Sequence, residues 1–73
     1  MNDNQDNNEK LARYFFNAQL QVHVVRNDNI FFNGLIKEVG SNFFIINDRK
    51  CGHMVVFFQE LKYPIEEYQE EEK

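Results

Sequence analysis

Cys51-Gly52-His53 is the first place in this chain where residue types and spacing could do chemistry. As metal ligands, the thiolate and imidazole would need one or two further donors to reach three or four. The remaining Cys or His is His23, far away in sequence, so the pair reads as a loop thiol and a strand-start imidazole. As a nucleophile, Cys51 would need a base and a group to orient that base, and the sequence identifies neither. Glu66, Glu67, Glu70, Glu71 and Glu72 form an acidic run, which is the composition of a solvating tail rather than of a paired-carboxylate site. No Gly-rich phosphate loop occurs. The residues argue against an enzyme, and they indicate no catalytic group, no metal ligand and no cofactor.

Binding chemistry is better supplied. Single-stranded nucleic acid is held by aromatic rings that stack on bases, beside cations that follow the backbone. The candidates are Ser41, Asn42 and Phe43 around a Gly-Ser-Asn turn, Arg49 and Lys50 in an Asp-Arg-Lys-Cys-Gly loop, and Gln59 in a later polar turn. Phe43 or Phe57 could offer a ring to a base. Against this stands the plainer reading, in which strand phenylalanines are core or subunit interface and loop cations are merely solvated. Net charge is −4, but it is unevenly spread. Residues 1–10 carry −2 and residues 63–73 carry −4, whereas the body between them has six basic against four acidic side chains, +2. Tight nucleic-acid binding needs clustered Lys and Arg, so the total argues weakly against it and the body does not.

These residues are positioned by a dense apolar stretch, Ile30 to Leu61, which reads as three consecutive strands. Before it, residues 1–8 (MNDNQDNN) are polar and are expected to be a disordered lead. Asp6 and Glu9 resemble a capping box, and Leu11, Phe15 and Ala18 then fall on one face of a short helix, widened by Tyr14 and Phe16. Leu20, Val22 and Val24 alternate with polar positions in a first strand, and Asn27-Asp28-Asn29 has turn composition. The second strand runs from Ile30 to Val39. Its Gly34 marks a bend, a bulge or a close backbone approach, and is expected to be a structural hinge. Phe43 to Asn47 and His53 to Phe58 give strands three and four, Gln59-Glu60-Leu61 a single helical turn, and Lys62 to Tyr68 a short fifth strand.

The expected architecture is therefore mostly β: a small, strongly bent, five-stranded antiparallel barrel with a short N-terminal α-helix. The domain covers residues 9–68, and residues 69–73 form an acidic C-terminal tail. At 73 residues the chain is one domain near the lower limit for a self-sufficient core, and eight Phe and three Tyr supply the apolar area. Strands four and five are expected at open edges, with Met54, Val55, Val56, Phe57, Tyr63 and Ile65 at a subunit interface in a ring-like homo-oligomer. A single cysteine excludes an intramolecular disulfide. With no signal-like apolar run near the N-terminus, a reducing cytoplasmic setting is expected. No apolar stretch approaches the roughly 20 residues that span a bilayer, so no membrane partner is expected.

Phe32-x-Gly34-x-Ile36, followed by Val39, Gly40 and a return strand, resembles the first signature of the Sm-like proteins (Sm, LSm and the bacterial Hfq). His53 to Leu61 is similar to the second signature, in which a strand ends in a polar single turn and an aliphatic residue. The resemblance spans roughly residues 9–68 and implies an Sm-like barrel, a pattern that SH3-like barrels can also give, in a ring joined by the fourth strand of one subunit and the fifth of the next. It also implies binding of single-stranded RNA by pore-side loops. The usual pocket residues are replaced, however. The family's turn Asp falls on Gly40, its base-stacking position on Asn42, its pocket Asn on Phe44, and the Arg and Gly of the second signature on Phe57 and Phe58. The Hfq-type Tyr-Lys-His run is absent as well. With those replacements, the resemblance implies a divergent ring-forming scaffold that binds RNA through an atypical pocket, or alternatively a protein–protein assembly module of the same fold.

Overall fold

The computed structural model describes residues 3–69; most of the expected acidic tail, residues 70–73, lies outside the described residues. Helix α1 spans Asp3–Ala18, and it is followed by strands β1 (Gln21–Val25), β2 (Phe31–Val39), β3 (Phe43–Asp48) and β4 (Gly52–Phe57). A 3-10 turn, Phe58–Glu60, leads to the short strand β5, Glu66–Glu67. The five strands form one antiparallel sheet in the order β4-β3-β2-β1-β5. The expected helix and five strands are present, in the expected order.

Helix α1 starts earlier than the sequence suggested. Residues 3–8, expected to be disordered, are helical, and Asp6 lies inside the helix rather than at its cap. Asn8 explains the extension: it is 4% exposed, and its side-chain oxygen accepts the Ile65 N–H at 3.0 Å, so tertiary contact holds what composition alone would leave loose. The buried stripe is Asn8, Ala12 and Phe15, with Leu11 and Phe16 partly covered, whereas Ala18 and Tyr14 are exposed. The helix ends in a Schellman motif. Gln19 takes the left-handed conformation (φ 57°), Leu20 N–H reaches Phe15 O at 3.2 Å, and Gln19 N–H reaches Phe16 O at 3.3 Å.

The core lies between α1 and one face of the sheet. Val22 and Val24 of β1, Phe32 and Ile36 of β2, Phe44 and Ile46 of β3, and Val56 of β4 all point inward and join Ala12, Phe15, Phe58 and Ile65. Each strand contributes alternate residues, the period of two that a pleated sheet dictates. In the turn before β2, Asn29 holds φ 69° and Asp28 Oδ1 accepts the Ile30 N–H at 3.1 Å, which is the positive-φ turn expected of Asn27-Asp28-Asn29.

Gly34 belongs to the close-approach case. A Cβ there would lie 2.0 Å from the carbonyl oxygen of Asn47 and 2.9 Å from its carbon. The irregularity in β2 falls instead between Ile36 and Glu38, where the β2–β3 register shifts around Lys37. The expected hinge at Gly34 is corrected accordingly: the bulge at Lys37 bends the strand, and Gly34 lets β3 pack against it.

Candidate nucleic-acid interface

β3 separates the six residues picked out for RNA contact into two groups. Ser41 and Asn42 are exposed in the β2–β3 turn, with Phe43 half-buried after them. Phe58 N–H donates to Asn42 O at 3.0 Å, and the Phe43 and Phe57 rings meet edge-on at 6.4 Å, so the exposed Gln59 stands at this same end of the sheet. Arg49 and Lys50 occupy the β3–β4 turn at the opposite end, about 17 Å away by the rise of a six-residue strand. The six residues do not form one pocket.

The Phe43 end is apolar. Phe57 is 40% exposed, while Phe44 and Phe58, which stand at two of the usual pocket positions, are core residues at 0% and 2%. Gly40 has a local cause: a Cβ there would come within 2.3 Å of the Phe43 ring, so the turn Asp of the family pattern cannot be placed without moving that ring.

The Arg49 end is built differently. A cleft of about 740 Å³ runs between Asn29, Ile30, Phe31, Phe32 and Asn33 on one side, and Asp48, Arg49, Lys50, Cys51 and Tyr68 on the other. Phe31 is 54% exposed and Ile30 48%. The Arg49 guanidinium sits over the Tyr68 ring at 5.3 Å. On the adjoining strand, His23 Nδ1–H donates to Asn33 Oδ1 at 2.5 Å and the His23 ring lies 5.6 Å from that of Phe31. The exposed Phe31 ring, the half-buried Tyr68 ring, two amides and two cations therefore share one cleft, the combination suited to stacking bases along a phosphate backbone.

Asp48 shapes the loop that carries the cations. It is 8% exposed and accepts N–H bonds from Asn33 (2.8 Å), Cys51 (2.9 Å) and Lys50 (3.0 Å). Burial pushes its carboxyl up, but the three N–H donors outweigh this and hold it below the usual carboxylate range.

Sequence reasoning found Arg49 and Lys50 but missed Phe31, Asn33 and Tyr68. The Phe31-Phe32 doublet held a usable signal, since in a strand one of two adjacent residues must face away from the core. Nothing local marked Tyr68, whose position depends on how β5 pairs with β1.

The interface candidates also divide. Val55 (51% exposed), Phe57 and Tyr63 (52%) are open, and Met54 is half-buried. Val56 (0%) and Ile65 (3%) are core, which corrects their expected role: their side chains fill the interior of a single chain, leaving only backbone at the edge. Within the chain, β4 and β5 are the two ends of the sheet, as expected. Among the described residues, no helix is long and apolar enough to cross a membrane, and no group of three potential ligands could hold a metal ion.

No protein-family model matches the sequence, and the curated proteins contain no significant match. The structure is similar to a crystal structure of the pleiotropic translational regulator Hfq, with a TM-score of 0.68 and 16% identity, over 80% of this chain and 93% of that one. Helix, strand order and extent thus agree with the resemblance drawn from the two sequence signatures, and the chain has the Sm-like fold on a sequence divergent from that of Hfq.

Proposed function

We propose that this chain is a ring-forming scaffold that binds single-stranded RNA in the cleft between β2 and the β3–β4 turn. The observation that carries the RNA contact is Arg49 lying over Tyr68 at 5.3 Å, in a cleft that also holds the exposed Phe31 and Lys50. Further support comes from the fold shared with a translational regulator and from the mildly basic body. Assembly would pair β4 of one copy with β5 of the next, covering Val55, Phe57 and Tyr63. The cleft holds and orders RNA without reacting with it, so the role is that of a non-enzymatic ribonucleoprotein component, set in the cytoplasm.

Replacing Arg49 and Lys50 together by Ala tests the contact. Fluorescence-anisotropy titration of a labelled single-stranded RNA is expected to show affinity reduced about 10- to 100-fold, with a salt slope shallower by about one to two units. Unchanged affinity and slope would remove this cleft as the binding site.

A second reading has its own observation. The Phe43–Phe57 pair makes an apolar surface at the end where the family pattern has polar pocket residues, which suits a protein partner. A clean wild-type oligomer that binds no RNA would favour it.

A further inference from the structure

We propose that Asn8 is a removable cap on the β5 edge, through which helix α1 limits strand pairing between copies of this chain; the inference rests on the ring reading above. β5 ends the sheet, so one side of its backbone bonds to β1 and the other faces outward. Tyr68 N–H donates to Gln21 O at 2.9 Å, and Glu66 pairs with His23, which places the even-numbered donors of this segment toward β1. Backbone groups alternate along an extended strand, so the N–H groups of Ile65 and Glu67 point to the open side. At Ile65 that donor is already taken: Asn8 Oδ1 accepts it at 3.0 Å. Pro64 has no N–H to offer on either side.

An incoming strand thus finds the Glu67 donor without a partner among the described residues, and the Ile65 donor occupied by a side chain from a distant part of the sequence. β4 differs, because Val55 and Phe57 on it stand exposed. The two edges are unequal, and the unequal one is controlled by a single amide. Asn8 is 4% exposed, and the rest of α1 packs chiefly on β2 and the 3-10 turn, so Asn8 is well placed to hold or release the edge with little disturbance of the core. Covering an edge donor is a known way to restrain strand addition. Here the cover is one hydrogen bond.

Sedimentation velocity across a dilution series, on full-length wild type and Asn8→Ala, decides the matter. Removing the Asn8 side chain uncovers the Ile65 donor for a partner strand to satisfy, so Asn8→Ala is expected to assemble at about tenfold lower concentration. Asn8→Asp keeps the acceptor and is expected to assemble as wild type does. Wild-type assembly with Asn8→Ala unchanged or weaker overturns the cap and leaves the ring standing. A wild type that stays monomeric throughout overturns both. Should Asn8→Ala not fold by circular dichroism, amide exchange in dilute wild type decides: slow exchange at Ile65 supports the cap, and exchange at the rate of an open edge amide overturns it.

Discussion

Gly34→Ala is expected to cost about 3 kcal/mol and to lower the melting temperature by about 12–24 °C. The added methyl would sit 2.0 Å from the Asn47 carbonyl oxygen, and that neighbour is backbone, which cannot rotate aside as a side chain can. β2 and β3 must then separate where Gly34 opposes Asp48 and Leu35 opposes Asn47. The damage spreads from there. Asp48 loses its position against the Asn33 N–H, and Asn33 O loses the Arg49 N–H that it accepts at 2.9 Å. A domain of 73 residues has a total stability of about 4–11 kcal/mol, so one methyl removes a large share of it. Thermal denaturation followed by circular dichroism reads the effect. A variant melting within about 3 °C of wild type, less than 1 kcal/mol for a domain of this size, would show that the two strands have slack there.

Asp48 sets the second large effect. Asp48→Ala is expected to destabilise by about 3 kcal/mol, because it strands three backbone donors that now share one carboxylate, two of them at the tip of a turn where water replaces part of the loss. The carboxyl is held below its usual range, so its contribution is fully present above the unfolded value of about 4 and is lost as pH falls through the lower folded value. Urea denaturation of wild type as a function of pH should therefore lose stability on the acid side, and Asp48→Asn should flatten that slope. Flattening will be partial, since Asp28, paired with Arg26, is also held low and loses its contribution in the same direction. A wild-type stability that stays level through this acid range would contradict the N–H bonds to Asp48.

Much of this fold was legible in the sequence. Alternation in Val22-His23-Val24 and the doublets Phe31-Phe32 and Phe43-Phe44 mark strands with one buried face. The polar turns fall where Asn29 and Gly40 sit. Two things resisted. α1's first turns are polar in composition, and the tie that orders them joins Asn8 to Ile65, a contact between opposite ends of the chain. Local propensity carries no trace of such a pairing. For the binding surface, sequence found the loop cations but grouped them with Ser41, Asn42 and Gln59, because one dimension does not reveal that the β2–β3 and β3–β4 turns lie at opposite ends of β3. Val56 belongs with the second: in the apolar run of an edge strand, which residues face the core depends on register with the neighbouring strand.

A ring of identical subunits that holds single-stranded RNA has a direct test. It is size-exclusion chromatography of the purified chain with light scattering, monitored at protein and nucleic-acid wavelengths together. A mass of several subunits with nucleic acid eluting in the same peak is the predicted result. A strict monomer at high concentration, free of nucleic acid, would contradict it.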